Sequence, residues 1–480
     1  MKNFFKIFNI VLLSIASISF HADPAFSYKT QVHRKISENG VEKSNKLDVS
    51  LINSGIMSVN DISDYIIIKG KSPSQWIEYG SEWEDDMQFY AYFSFYKLLY
   101  CHFYNPLSNM GYTAESIELG QSLIDRSVNP ENEWAIQYAK LFYYSALTGN
   151  STLLDGMYMR DGIKDNTLSI VGTTKMNLEE KEQFFAWMFQ ALGHTMHLIQ
   201  DASVPAHTRN DLHNWSEPFE VRTKKFIAES LFSDPQTDPN IFLNSSSSII
   251  APYVFFDTGQ LDDTSESPLS GAFQGLAEYS HANFLSNHTI FGFDLPEAPS
   301  WDENPPDYSD PKYVFEDENI NLRDRKFIYM KSPYSDGVDH FVRCGILHLM
   351  PSPLEPTKAY YEVWYTVDDS RVNDDYAAQL IPRAVGYSAA FLDHFFRGQL
   401  EVSAVNVNDS APEIDGSGTV TWLGSISHIK ADVQNVSTLG DQAELIGPGS
   451  LIGITRYVLA GVENYSVSQE VTLSQAELMP

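Results

Sequence analysis

Between residues 34 and 232, and again from 268 to 287, apolar positions recur every three to four residues. That is the period of a helix buried along one face, and aromatics crowd those faces at 89–93, 134–147 and 178–202. Pro, Asp, Asn and Ser dominate 233–267 and 295–325, which predicts loops or insertions. Residues 326–367 read as strands, most clearly Tyr360-Tyr361-Glu362-Val363-Trp364-Tyr365. A helical pattern returns from Asp374 to Arg397, with a kink expected at Pro382. Beyond Gly398 the period changes. Ile429, Ala431 and Val433 alternate with Lys430, Asp432 and Gln434, as in a half-buried strand, and 400–407, 418–424 and 451–460 look similar. The expected fold is therefore mainly α: a multi-helix domain over 28–398 with an insertion at about 295–370, then a small β-sandwich over 399–480.

The first residues carry a different pattern. Lys2 and Lys6 precede the apolar stretch Ile10 to Ala16, which runs on to small residues ending at Ala22, Ala25 or Ser27. A basic start, a short apolar core and a small-x-small ending describe a secretory signal peptide, taken here as 1–27. The core is too short to span a bilayer, and no other run reaches about 18 apolar residues. A soluble protein, secreted or periplasmic, is expected.

Composition narrows the classes. Apolar residues make up 43% and charged residues 20% of the 480, which is ordinary for a folded chain. The net charge of −31 argues against a general nucleic-acid coat protein, since polyanion binding relies on clustered Lys and Arg. Cys101 and Cys344 allow either one bridge or two buried thiols.

The candidate chemistry lies in Ala191 to His207. Phe184, Phe185, Trp187, Met188, Phe189 and Leu192 surround most of this helix, so it should be buried, yet Gln190, His194, His197 and Asp201 form a polar stripe on it. Burying imidazole and carboxylate together is costly without a partner, and a metal ion is the most economical one. His197 and Asp201 stand one turn apart and can reach the same cation or two adjacent ones. Pro205 ends the helix, after which His207 can fold back. Further on, His213 and Glu217 have i, i+4 spacing, but Pro218 disfavours helical geometry at Glu217, and a helix starting at Pro218 would project Glu220 instead. Both carboxylates remain candidates. Upstream, the acidic run Gly80-Ser81-Glu82-Trp83-Glu84-Asp85-Asp86 comes shortly before His102; alone it reads as a surface patch. The acidic clusters Glu316-Asp317-Glu318 and Asp368-Asp369 offer oxygens of the kind Ca²⁺ takes, but they lack EF-hand glycine and spacing and read as solvated loops. His281, His288, His340, His348, His394 and His428 show no ligand spacing.

In this order the islands resemble the zinc-dependent phospholipase C family, which shares its fold and trinuclear zinc site with single-strand-specific zinc nucleases. The run Leu192, Gly193, His197, Asp201, Pro205 and His207 matches the family's Leu-Gly-x-x-x-His-x-x-x-Asp-x-x-x-Pro-x-His signature without a gap. Gly80 to Asp85 followed by His102-Phe103 matches a second element, Tyr28 followed by His33 the N-terminal one, and Leu380 to Gly398 looks like the closing helix of bacterial members. Tyr28 stands where the family usually has Trp, and the interval from His207 to His213 is shorter than in well-known phospholipases.

The resemblance implies about three zinc ions per chain. Asp85, His102, His197 and Asp201 would hold one; the Tyr28 amine and carbonyl with His33 and a bridging Asp201 a second; His207, His213 and Glu217 or Glu220 the third. It implies a phosphoric diester hydrolase that uses metal-bound hydroxide. In that chemistry Asp85 suits a general base on the incoming water, and His194, on the same stripe, suits a residue that orients a ligand rather than a ligand itself. The expected substrate is a phospholipid at a membrane surface, with single-stranded nucleic acid as the alternative; a non-catalytic, metal-stabilised adhesion protein is the reading of a different class. No obligate protein partner is evident. With ten acidic and two basic residues after 399, the C-terminal segment is not expected to dock electrostatically on an anionic membrane without Ca²⁺.

Overall fold

A computed structural model of the chain describes residues 30–53, 67–85, 101–114, 117–118, 121–161, 166–212, 217–224, 234–239, 253–261, 275–290, 295, 307–320, 323–334, 337–351, 359–396 and 400–411, and beyond these 427–428 and the strands named below. The signal segment 1–27, Tyr28 and His213 lie outside the described residues.

Eleven α-helices lie among the described residues. They are α1 (Thr30–Lys43), α2 (Leu47–Asn53), α3 (Pro73–Trp83), α4 (Leu123–Val128), α5 (Ile136–Thr148), α6 (Leu178–Asp201), α7 (Pro205–Thr208), α8 (Pro218–Thr223), α9 (Tyr253–Phe256), α10 (Leu276–Asn283) and α11 (Ser370–Phe395). No helix among the described residues is long and apolar enough to cross a membrane.

The central element is α6. Asn177 and Glu180 close a capping box at its start, each satisfying an amide of the first turn, and Glu179 and Glu180 complement the helix dipole. From Trp187 to Asp201 every residue is buried, with α3, α5, α1, α11 and α4 packed around it. Two glycines permit the closest of these approaches. A Cβ on Gly193 would lie 2.1 Å from the Ile77 carbonyl oxygen, and one on Gly80 would lie 2.0 Å from that of Gln190, so α3 and α6 meet backbone to backbone. Each fully buried Phe189, Leu192 or Met196 contributes about 1.5–3 kcal/mol of transfer free energy to holding α6 in the core. α11 runs through Pro382 as one continuous helix, with Asp369 capping its first turn.

The predicted strands at 326–367 are present, but the sheet begins earlier. β5 (Tyr313–Ile320), β6 (Arg323–Met330), β7 (Val342–Pro351) and β8 (Ala359–Thr366) form a four-stranded antiparallel meander in that order. The expectation of loop across 295–325 is thus corrected at Tyr313–Ile320. Its acidic composition reads as loop in isolation, whereas the register sets Asp317 opposite Lys326 and Glu318 opposite Arg325. The acids read as solvated are also engaged: Glu316 pairs with His340 and Arg371, and Asp369 with Arg343. Phe327 to Met330, Phe341 and Val342 join the same apolar cluster as the helices, so the insertion packs on the helical core.

Two small hairpins also interrupt the stretch read as helical: β1 (Thr113–Ala114) with β2 (Ile117–Glu118), and β3 (Tyr158–Asp161) with β4 (Asn166–Ser169). Beyond 399 every described element is a strand, in five antiparallel pairs: β9 (Leu400–Val407) with β12 (Ile429–Asn435), β10 (Glu413–Ile414) with β11 (Val420–Thr421), β13 (Thr438–Leu439) with β14 (Gln442–Ala443), β15 (Gly449–Leu451) with β18 (Val471–Leu473), and β16 (Ile454–Leu459) with β17 (Val462–Val467). Among the described residues these pairs are not joined into a larger sheet. Cys101 and Cys344 are separate buried thiols with no disulfide between them.

Candidate metal centre

Four imidazoles and three carboxylates from six parts of the chain meet in one buried space. His33 comes from the first turn of α1, Asp85 from just beyond α3, His102 from the segment before α4, His197 and Asp201 from the last turns of α6, His207 from α7 and Glu220 from α8. All seven are less than a tenth exposed, and His33, His197, Asp201 and His207 are fully enclosed.

Asp201 is the hub. Its Oδ1 lies 3.4 Å from His33 Nε2 and 3.7 Å from His207 Nδ1, while its Oδ2 lies 2.6 Å from His102 Nδ1 and 3.3 Å from His197 Nε2. Asp85 Oδ1 lies 3.4 Å from His197 Nε2 and 4.0 Å from His102 Nε2, and Glu220 Oε1 lies 3.3 Å from His207 Nε2. Apart from the short His102–Asp201 contact, these separations exceed the range of about 2.7–3.2 Å typical of an N–H···O bond. A tetrahedral cation with bonds of about 2.0–2.2 Å would instead space its ligand atoms roughly 3.3–3.6 Å apart. The recurrent 3.3–3.4 Å spacing therefore fits donors arranged around an ion. Two triplets are the tightest, His33 with Asp85 and His197, and His102 with His197 and Asp201; in each, the donor atoms all lie within 4.8 Å of one another.

The ring orientations agree with that reading. His197 Nδ1 donates to the Ser81 carbonyl at 2.6 Å, and His33 Nδ1 donates to Gln200 Oε1 at 2.7 Å, so each ring turns its Nε2 lone pair inward. Gln200 is held in turn by bonds from its amide to Ser37 and Ser388.

Electrostatics show what the cluster costs without a cation. His33 and His197 are stacked with centroids 3.8 Å apart, so two protonated rings would repel each other. Burial and the neighbouring His197 charge push His33 down to about 4. Burial also opposes a proton on His197, but Asp85 and Asp201 outweigh it and raise the ring to about 10. Burial likewise disfavours ionised Asp201, yet His197, His102 and His207 hold the carboxyl well below its usual range. A divalent cation could take the place of the protons that otherwise neutralise this cluster.

Of the residues singled out in the sequence, His33, Asp85, His102, His197, Asp201, His207 and Glu220 come together. Glu217 plays another part: it is the N-cap of α8, accepting the Glu220 amide at 2.7 Å. His194 is bonded outside the cluster, its Nδ1 lying 2.5 Å from Glu84 Oε2. Sequence reasoning missed Glu84, Arg126, Trp134 and the Ser81 carbonyl. The one available signal was that Glu84 directly precedes a candidate ligand. Among the other histidines, His281 donates to the Thr208 carbonyl and burial lowers it to about 3, while His288 pairs with Asp211.

Comparisons with protein-family models, with curated proteins and with solved structures return no match.

Proposed function

We propose that the chain is a zinc-dependent phosphoric diester hydrolase of phospholipase C type, exported from the cell, that cleaves a glycerophospholipid into a diacylglycerol and a phosphorylated head group. The observation that carries this reading is the two-sided Asp201 carboxylate, each oxygen facing two imidazoles from separate parts of the chain. A carboxylate so placed suits two adjacent cations, and paired cations suit phosphodiesters, whose negative charge repels hydroxide.

When bound, zinc would neutralise the phosphoryl oxygens and make water acidic enough to act near neutral pH. The chain's own groups do the rest. His33, His102, His197 and His207 would offer ring nitrogens to the metal, and the Ser81 and Gln200 bonds fix two of those rings. Asp85, buried just beyond the end of α3, takes the proton of the attacking water. The apolar wall of α6 excludes bulk solvent, so each charge acts at low dielectric. Net charge favours a zwitterionic lipid over a polyanion at the approach stage.

The test is hydrolysis by zinc-loaded protein of phosphatidylcholine against single-stranded DNA, with Asp85→Asn beside it. Lipid hydrolysis lost in the variant is expected. Preference for DNA would replace the lipid reading with a nuclease, and no activity on either would leave a metal-stabilised binding protein.

A further inference from the structure

α3 and α6 are joined by successive rungs. The backbones touch at Gly80 and Gly193, and His197 Nδ1 then donates to the Ser81 carbonyl. At the end of α3, Glu84 divides its carboxylate: Oε1 accepts from Arg126 Nε at 2.8 Å, and Oε2 lies 2.5 Å from His194 Nδ1. The His194 ring lies flat on Trp134, with centroids 4.9 Å apart and planes 10° from parallel. The Glu84 and His194 side chains are 1% and 5% exposed.

Burying such a group is expensive, and apolar side chains of equal volume would pack the two helices at least as well. Its placement supplies a reason for it. Glu84 is one residue before Asp85, and His194 is one helical turn before His197, so the Glu84–His194 contact runs beside the 3.4 Å approach of Asp85 to His197 and spans the same two elements. Neither Glu84 nor His194 belongs to the ligand cluster. We propose that Arg126, Glu84 and His194 are positioning residues that lock the end of α3 against α6, so that Asp85 stands at ligand distance from His197. The proposal rests on the metal-centre reading. Ligand distances are tolerant to only about 0.2 Å, so a small drift of this end of α3 costs binding.

The test measures Zn²⁺ affinity of the full chain by competition with a chelator, together with the visible d–d spectrum after Co²⁺ exchange. It compares wild type with Glu84→Gln, His194→Phe, His194→Asn and Arg126→Lys, with folding checked by circular dichroism. His194→Phe keeps the ring on Trp134 and removes the donor; His194→Asn puts an amide N–H where Nδ1 was. Binding about 10–100-fold weaker is expected for Glu84→Gln and His194→Phe, with a weakened Co²⁺ spectrum, and near wild-type binding for His194→Asn. Folded Glu84→Gln and His194→Phe proteins that melt earlier but bind Zn²⁺ as wild type does would reduce the trio to a structural contact and overturn the proposal. If those two do not fold, Arg126→Lys decides, because it keeps the charge at the outer edge and drops the guanidinium fork; unchanged affinity there overturns it equally. Wild-type protein that binds no Zn²⁺ removes the metal centre itself, a result distinct from any difference among variants.

Discussion

Replacing Asp201 with Asn keeps the shape of the hub and removes its charge. The side chain is fully enclosed, and four imidazole nitrogens stand 2.6, 3.3, 3.4 and 3.7 Å from its two oxygens. An amide can offer an acceptor to only one side, so the other pair of rings meets an N–H₂ donor. Without metal, His102 and His197 then lose the partner that favours their protonated forms. Breaking a buried pair in this way costs about 3–5 kcal/mol. At about 2–4 °C per kcal/mol for a domain of this order, the melting temperature in chelator should fall by about 6–20 °C at pH 6. The pH dependence has a defined sign. His197 is raised to about 10 from 6.5, so its stabilisation is complete below pH 6.5 and is lost as pH rises through 10. The wild-type melting temperature in chelator should therefore decline over that window, and that of Asp201→Asn should decline less. With zinc, the variant should retain less than about a tenth of the wild-type affinity, since even partners outside the ligand set are worth 10–100-fold. Calorimetry in chelator and elemental analysis after dialysis measure the two effects. Wild-type melting and full metal content in Asp201→Asn would refute the assignment of Asp201 as hub.

Three further outcomes follow from single contacts. Glu217→Ala removes the N-cap of α8 and should cost about 0.5–2 kcal/mol, whereas Glu220→Gln should lower metal content with little effect on folding; the opposite pattern in urea unfolding and elemental analysis would exchange their roles. Gly193→Ala places a methyl 2.1 Å from the Ile77 carbonyl and should destabilise the protein by at least about 1–3 kcal/mol; a neutral result in denaturant titration contradicts the close packing of α3 on α6. His340 bridges Glu316 at 2.9 Å and Asp375 at 3.1 Å, and the hydrogen bond to Asp375, with burial opposing it, raises its pKa above 6.5. That contribution is complete below about pH 6.5 and fades as pH rises through the raised value, so His340→Gln should flatten the fall of the urea midpoint on the alkaline side. Parallel slopes in the two proteins would show that the bridge carries no stability.

The parts of this architecture that depend on local pattern could be read in advance. α6 announces itself by apolar residues around most of its circumference, and the same fact makes His197 and Asp201 conspicuous, because polar groups on a buried helix demand partners. What could not be read depends on distant pairing. The partner of His194 is 110 residues away, so the stripe of Gln190, His194, His197 and Asp201 looked uniform although only its last two members belong to the ligand cluster. The acidic run of β5 resembles a loop until β6 is set opposite it. The choice between Glu217 and Glu220 turned on α8 starting at Pro218, which makes the first a cap and leaves the second beside His207.

Anomalous diffraction at the zinc absorption edge, on crystals of the zinc-loaded protein, tests the metal centre most directly. Peaks are expected about 2.0–2.2 Å from His197 Nε2, from His33 Nε2 and from the two Asp201 oxygens. A cluster without peaks, with the imidazoles and carboxylates hydrogen-bonded directly to one another, would contradict the metal-centre reading.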